Sequence, residues 1–546
     1  MPAQAARSLT EKVGLGPAQL LFLFFGTGGV LLCDGASQMV QPTPGPSASD
    51  SHCVKEAGSS SMDEVCIQTH GLNEAKVAEA CDGVSSESVA TLRAKLLGDV
   101  ILPGDPEYPS AAQLFFKIFI RRPCLILLCN STSDVQIGLR YAIDNGLPLS
   151  VRSGGHNLMG WSVLDNAVAL DLRRLNFVHV LPGAEEAHIG PGALSHDVIK
   201  ALSLGHARMT TAGGHPTVAV GGFLLGGGHS IIGRSAGIGV DNILGMEVVL
   251  ADGRVVNVSE KADEHPDLYW GLRGGCGFAF GIVTKFRMRL HRECGGDGSC
   301  LAGYLRFASS DMSRVAEAVV QYVPDADRRL GIETATSGDG AVLVQGVFSG
   351  RAEDGWEALK PLMNIPNATL LENAFQKTDN YYEAWLRSGG SSNIHHTVSR
   401  IRAQTRSAFF KESLPSSAWD GLMQGFLALG IDFNIGVYAM GGAWSAPPVN
   451  ATAYPHRKFR YNLDLNAVWH NESLDDAVYA WLGEAYTKLL LPSCEPDCEV
   501  YCNYAGPLKD YAKSYWGANL GRLSHMKSQW DPHGIFTFPQ RIPPAQ

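Results

Sequence analysis

Apolar residues change their spacing several times along this chain, and each change predicts an element. "PCLILLC", from Pro123 to Cys129, is a short unbroken apolar run and reads as a buried strand. "STSDVQIGLRYAIDNG" then spaces its apolar residues at helical intervals, with Ser131 or Ser133 placed to cap the start and Gly146 to stop the end. "LPLSVRSGGH" returns to a strand, so the unit is strand–helix–strand and ends on paired glycines. Further on, "AVALDLRRLNFVHV" and "EAHIGPGA" read as strands and "LSHDVIKALSLGHA" as a helix. "GMEVVLADGRVVNVS" is two alternating runs joined at Asp252-Gly253, the pattern of a hairpin. "HPDLYWGLRGGCGFAFGIVTKFRMRL" supplies a helix, a glycine turn and a final strand.

From about residue 291 the glycine density falls and longer alternations appear. "HRKFRYNLDLNAVWH" alternates as a strand of a half-exposed sheet does, which puts Asn462, Asp464 and Asn466 on one face. "SLDDAVYAWLGEAYTKLLL" reads as a helix covering that sheet. These textures divide the chain into a leader at 1–36, an N-terminal extension at 37–115, a glycine-dense α+β unit at 116–291, a second unit at 292–494 and a tail at 495–546. The extension is rich in Ser, Gly, Pro and acidic residues and is expected to be partly mobile, with one helix at "SESVATLRAKLLG".

Composition narrows the class. A chain of 546 residues, 45% hydrophobic and 18% charged, is globular and has more than one domain. A net charge of -10 without a Lys/Arg stripe argues against nucleic acid as a partner. Arg7 and Lys12 precede "LGPAQLLFLFFGTGGVLLC", which ends among small residues near Gly35 and Ala36, as a cleaved export signal does. No later stretch is long and apolar enough to span a bilayer, so no stable membrane span is expected once the signal is removed. The 12 cysteines, and Asn-x-Ser/Thr sequons at Asn130, Asn257, Asn367, Asn450 and Asn471, agree with a secreted, disulfide-bonded glycoprotein. Cys494, Cys498 and Cys502 lack a fourth nearby ligand, so they read as disulfide partners of undetermined pairing, not as a metal site.

Two motifs are set aside on physical grounds. Gly237-Ile238-Gly239 lacks the third glycine of a dinucleotide fingerprint. Gly233 to Gly237 matches the Gly-x-Ser-x-Gly elbow of serine hydrolases, but a glycine-rich coil precedes it where the elbow needs a strand. The run "GGHPTVAVGGFLLGGGHS" brings backbone amides close together, an arrangement suited to an anion such as a pyrophosphate. His156 follows two glycines that leave no side-chain bulk, so a flat or anionic group can approach the backbone beside it. By itself such a histidine could be a ligand, a base, a nucleophile or a turn residue.

Four blocks, "VRSGGHN", "GIGVDNILGMEVVLADG", "DLYWGLRGGCGFAFGIVTKF" and "YWGANLGRLSHMKSQWDPHGIF", occur in the order seen in the berberine bridge enzyme-like branch of the FAD-linked oxidases. The chain resembles that family, whose members carry a PCMH-type FAD-binding domain of the vanillyl-alcohol-oxidase kind. The resemblance implies an α+β fold in which this domain is joined to a substrate domain with an antiparallel sheet covered by helices. The C-terminal segment then returns to the FAD domain. It implies FAD bonded through His156, with Arg152, Ser153, Gly154, Gly155, Asn157 and Gly160 around it. From the second glycine-rich run it draws His215, Thr217, Val218, Gly221 and Gly222 to the cofactor, followed by Gly226, Gly227 and Gly228. Ile282, Val283 and Asn519 complete the expected cofactor site.

This sequence departs from the family in two places. Many members have a second flavin-bonded cysteine where His215 stands, so one covalent link is expected here. Some members place a catalytic glutamate where Asn462 aligns, so that acid is missing. The tail motif Y-x-N-Y matches Tyr501, Asn503 and Tyr504, and its first tyrosine is the expected proton acceptor, with Asp464 as its nearest candidate partner. Valine at 218 accompanies access of dioxygen in the family. The resulting expectation is a secreted oxidase that takes a hydride from an alcohol-bearing substrate, a sugar or a specialised metabolite, and releases hydrogen peroxide. Its alternatives are an oxidative cyclase, an FAD-dependent dehydrogenase and an inactive flavin-binding glycoprotein.

Overall fold

Ser131, not Ser133, starts the first long helix: it sits in extended backbone and its hydroxyl accepts from the Asp134 amide at 3.1 Å. This is seen in a computed structural model that describes residues 52–54, 65–67, 81, 84–116, 118–294, 299–337, 339–390, 402–494, 498–508 and 510–545. The expected leader at 1–36 lies outside the described residues.

The first unit contains two large sheets, besides a short pairing of Arg208–Met209 with His291–Arg292. One has strands β1 (Asp99–Ile101), β2 (Leu125–Leu128), β3 (Leu149–Arg152) and β4 (Val168–Asp171) in the order β1-β2-β4-β3. β4 runs parallel to both β2 and β3, and β1 closes the edge antiparallel to β2. Parallel strands need a crossover, and the helix at Thr132–Asp144 carries the chain from β2 to β3, on the other side of β4. The other sheet is antiparallel, with β5 (Val178–Val180), β6 (Glu186–Ile189), β7 (Ile243–Val249), β8 (Val255–Ser259) and β9 (Ile282–Arg289) in the order β8-β7-β9-β6-β5. The hairpin expected at Asp252-Gly253 joins β7 to β8, and Gly253 takes the left-handed conformation, φ 84°.

The N-terminal extension expected over 37–115 ends earlier than its composition implies. Ser86–Lys95 is a helix, β1 pairs with β2, and a disulfide joins Cys81 to Cys124. The reason lies in β2, whose "LILL" is apolar throughout and is covered on both edges by a neighbouring strand. Residues 86–115 therefore belong to the first unit.

The second unit is an eight-stranded antiparallel sheet. Its continuous order is β13-β10-β12-β11-β15-β16-β14, for β10 (Cys300–Phe307), β11 (Leu330–Thr336), β12 (Val342–Phe348), β13 (Leu370–Asn373), β14 (Arg402–Phe410), β15 (Asp432–Ala439) and β16 (Tyr461–Trp469). Gln376–Thr378 also pairs with β10. Helices at Met312–Tyr322, Ala352–Met363, Ser416–Leu429 and Asp475–Ala485 cover one face, contributing Val319, Leu362, Leu422 and Leu482 to a core that includes Leu463 and Leu465 of β16. The half-exposed strand expected at β16 is instead buried on both faces, because Asn462 and Asp464 are enclosed as completely as their apolar neighbours. Tyr461 and Trp469 pack in the core.

After β16 and its helix the chain returns to the first unit. Trp516, Leu523 and Met526 of the tail pack against Leu268, Trp270 and Phe280. A disulfide joins Cys276 of the glycine turn to Cys502 of the tail, across a sequence separation of 226. Cys494 bonds Cys498, so the cysteine triplet is split between two bridges.

The tail is also held by one buried ion pair. Lys527 Nζ donates to Asp531 and to the carbonyls of Ala279 and Phe536, each at 2.7 Å, with both charged side chains almost fully enclosed. Removing one partner of such a pair leaves an uncompensated buried charge. Lys527→Met is expected to cost about 3–5 kcal/mol of stability, read from the shift of the urea unfolding midpoint.

Candidate active site

β3 ends at Arg152, and the chain turns through Ser153, Gly154 and Gly155 to His156. A side chain at Gly154 would put its Cβ 2.8 Å from the Ala219 amide nitrogen, so only glycine lets the two turns meet. Gly155 has φ 74°, which frees the turn to reverse. Arg152 lies buried beneath the turn, donating to the Ala111 carbonyl at 2.5 Å and pairing with Asp171 at 3.9 Å.

At the junction of the turns stand two histidines. His156 Nε2 is 2.8 Å from Thr217 Oγ1, and the same oxygen is 3.0 Å from His215 Nδ1. The Thr217 amide also donates to His215 Nδ1 at 3.2 Å. Phe115 stacks on His156 with centroids 4.0 Å apart and meets His215 edge-on at 4.9 Å. Burial, then the charge of Arg152, push the His156 imidazole down to about 3, against a smaller opposing hydrogen bond that the ring donates to the Thr217 backbone. The ring is therefore neutral at any physiological pH, as a nitrogen nucleophile must be.

These turns border a cavity of about 420 Å³ between the two units. Gly154, Gly155, Gly221 and Gly222 line it, and so do Ser153, Asn157, Val218, Ile282 and Val283. A Cβ added at Gly214 or Gly222 would meet nothing within 4 Å, so bare backbone faces open space there. A long slot walled by main chain on one side, with a neutral histidine at its edge, fits a flat ring system carrying a diphosphate.

The opposite wall is polar. Asp464 reaches it from β16 and hydrogen-bonds Asn466, while its Oδ1 has no hydrogen-bond partner among the described residues. Glu333, on β11, accepts from Gln345 Nε2 at 2.7 Å and faces the same space. Burial pushes Asp464 up to about 8 and Glu333 up to about 7, and the Glu333 carboxylate adds to the rise at Asp464. Tyr438 and Tyr504 share a hydrogen bond beside them and are driven well above the usual phenol range, mainly by burial and partly by Asp464.

Tyr501 also lines the cavity, but its partners differ from those expected. Its hydroxyl oxygen accepts from Asn503 Nδ2 at 2.8 Å, from the Gly228 amide at 2.9 Å and from the His229 amide at 3.4 Å. Its ring lies flat on that of His229, with centroids 3.5 Å apart. Asp464 is not its hydrogen-bond partner; that carboxylate acts on Tyr504 and Tyr438 instead. Burial pushes Tyr501 up to about 12, and the three N–H donors work against that rise.

Several other expected site residues stand behind the cavity. Gly226, Gly227 and Gly228 do not line it: Asn503, Tyr454 and Gly239 crowd the places where their side chains would be. The second half of the glycine-rich run is not a loop but a helix, Val220–Gly226. Gly160 packs on Phe119. Asn519 donates to the carbonyls of Val449, Thr452 and Ala453, and so shapes the 449–453 loop at a distance from the cavity lining. Asn462 is fully buried, donates to the Ala408 carbonyl at 3.2 Å and does not face the cavity. The Ser235 hydroxyl donates to the Ile232 carbonyl from within a short helix, so no nucleophile elbow exists. His229, Glu333 and Tyr438 were not singled out from sequence; each is a lone polar residue in an otherwise unremarked strand or turn, and no spacing marks it.

Comparison with known proteins agrees with this cavity. Residues 123–259 match a family model described as "FAD binding domain", and residues 500–543 match "Berberine and berberine like". An uncharacterised FAD-linked oxidoreductase of Bacillus subtilis is 29% identical over 462 residues, covering 83% of this chain and 99% of that protein. A carbohydrate oxidase of Microdochium nivale is 26% identical over 469 residues, covering 82% and 92%. The solved xylooligosaccharide oxidase of Myceliophthora thermophila superposes with a TM-score of 0.74 at 24% identity, over 86% of this chain and all of that one. Fold and cavity thus define an FAD-dependent oxidoreductase with a PCMH-type FAD-binding domain. The two matched regions, with these relatives, support a berberine bridge enzyme-like FAD-linked oxidase.

The raised carboxyls make stability depend on pH. Carboxyls that titrate near 8 and 7 when folded, against about 4 when unfolded, hold more protons in the folded chain throughout that window. Their contribution is complete below the unfolded value and is lost as pH climbs through the folded ones. Asp464→Asn is expected to flatten the fall in urea midpoint between about pH 5 and pH 8; an unchanged slope would assign the fall to other groups.

Proposed function

We propose that this protein is a secreted oxidase holding FAD through one covalent bond to His156 and oxidising an alcohol-bearing small molecule, a sugar or a specialised metabolite. When bound, FAD supplies a two-electron acceptor that takes a hydride equivalent from the substrate and passes the electrons to dioxygen, giving hydrogen peroxide. The observation that carries the reading is the setting of Tyr501, a phenol in the cavity whose oxygen accepts three N–H donors. Donors converging on one oxygen favour its anion and oppose the burial that holds the phenol near 12, which suits it to take the substrate hydroxyl proton as hydride leaves. Asp464 and Glu333 on the facing wall orient the substrate: Oδ2 of the neutral Asp464 carboxyl accepts from Asn466, which leaves Oδ1, without a partner among the described residues, to donate to a substrate oxygen. Asn462 has no part in this step.

His215 offers no thiol, which supports a single link to FAD. Val218 keeps the wall beside the histidines small, which favours oxygen as electron acceptor over a dehydrogenase reaction. Secretion is supported by the four disulfides among the described residues and by the exposure of all five sequon asparagines, Asn130, Asn257, Asn367, Asn450 and Asn471. No helix among the described residues is long and apolar enough to cross a membrane.

A second reading has its own support. Two carboxyls without a Lys or Arg partner among the described residues suit a protonated nitrogen as well as a hydroxyl, and the reaction is then C–H oxidation beside nitrogen, with or without ring closure. Peroxide release from the purified yellow protein over a panel of oligosaccharides, simple alcohols and amines separates the two. Tyr501→Phe is expected to slow bleaching of the flavin by the best substrate by about 10²–10⁴-fold, with the resting absorption spectrum unchanged. A variant that bleaches at the parental rate removes Tyr501 from the chemistry.

A further inference from the structure

Two ring nitrogens and a hydroxyl form a continuous path at the meeting of the two glycine turns. His156 Nε2, Thr217 Oγ1 and His215 Nδ1 follow one another at 2.8 and 3.0 Å. The direction of the path is set at its far end. His215 Nδ1 accepts the Thr217 amide hydrogen, so it carries a lone pair and its own proton is on Nε2. A threonine hydroxyl has one hydrogen to give. Given to His215 Nδ1, it leaves Thr217 Oγ1 to accept from His156, whose proton is then on Nε2 and whose lone pair is on Nδ1.

We infer that Thr217 and His215 are a proton relay that serves the protein's own flavinylation. The inference rests on the covalent link at His156 proposed above. The step exchanges one C–H bond and one N–H bond for a C–N bond. His156 Nδ1 gives its electron pair to the 8α carbon, the 8α carbon gives up a hydrogen, and the Nε2 proton leaves the imidazole. The two electrons released go to dioxygen, which departs with the two hydrogens as hydrogen peroxide. Forming the bond at Nδ1 makes the ring a cation until Nε2 loses its proton. That charge is costly here: the ring is enclosed, stacked on Phe115, and subject to the charge of Arg152 beneath the turn. A path that removes the proton as the bond forms lowers the cost. Thr217 passes its hydrogen to His215 and takes that of His156, and the imidazolium formed at 215 meets Phe115 edge-on.

The placement explains a residue that the resemblance left without a role. His215 stands at a position where relatives have a thiol that bonds the flavin; here the same backbone site serves the remaining bond from a distance. Phe115 fixes both rings at once, and its own amide donates to the Gly155 carbonyl at 3.1 Å.

The test uses full-length protein and counts flavin that stays on the chain after denaturation in acid, separately from flavin in the native protein. Thr217→Val and His215→Ala are expected to bind FAD natively but to form the covalent adduct on the order of 100-fold more slowly. Thr217→Ser, which keeps the hydroxyl, is expected to retain the parental rate, and added imidazole is expected to restore adduct formation in His215→Ala. Parental rates in both Thr217→Val and His215→Ala would overturn the relay while leaving the bond to His156 intact. Parental protein that releases all its flavin on denaturation would overturn the covalent reading itself, and the relay with it. If Thr217→Val binds no FAD, imidazole rescue of His215→Ala decides alone, and failure of rescue overturns the relay.

Discussion

The structure depends on main chain meeting main chain with nothing between. The turn at 153–156 and the turn at 213–219 touch through Gly154, and the helix that follows touches the first turn through Gly221, beside Ser153 and Pro191. Gly226, Gly227 and Gly228 make room in the same way for Asn503, Tyr454 and Gly239. A methyl group at any of these places would part the two turns or the tail. Because the contacts hold, backbone rather than side chain walls one side of the cavity, and His156, Thr217 and His215 come within hydrogen-bonding distance of each other. The glycines cost conformational entropy in folding, and the surrounding apolar cores and the disulfide between Cys276 and Cys502 offset that cost.

A second consequence is the way charge is handled. The cavity holds two carboxyls, a cluster of phenols and three histidines, and burial pushes each described shift toward the neutral form. Neutral groups in an enclosed site can exchange protons with a substrate without first shedding water or breaking ion pairs. The salt bridges that stabilise the fold, such as Lys527 with Asp531 and Arg457 with Asp241, lie away from this wall. The disulfide between Cys276 and Cys502 ties the glycine turn of one unit to the residue beside Tyr501, so the phenol is positioned by covalent connection as well as by hydrogen bonds.

Much of this was legible in the sequence, and for identifiable reasons. Local signals sufficed wherever one segment's own chemistry settles its structure. Ser131 at a helix start, Gly253 in a hairpin, the apolar run of β2 and the alternation of β16 each mark their elements because caps, turns and periodic burial act over a few residues. The paired glycines before His156 marked a place where a cofactor approaches backbone, and the four ordered blocks marked the family. The glycine-rich run after 219 carried no such local signal, and a short helix forms there despite its composition because the surrounding core fixes it.

What the chain could not reveal by itself was which polar groups meet. Tyr501 and Asp464 are near in sequence pattern and share a cavity, yet Tyr501 takes its partners from Gly228, His229 and Asn503. Glu333 gained its place only when β11, β15 and β16 came side by side, and the Asn462 side chain, on the same strand as Asp464, turned to the Ala408 carbonyl instead of the cavity. Sequence determined the elements, the glycine turns and the histidine at their edge, since those depend on steric limits within a few residues. Tertiary structure alone decided the hydrogen-bond partners and the protonation of the site, since burial and distance between remote segments exist only once the chain has folded.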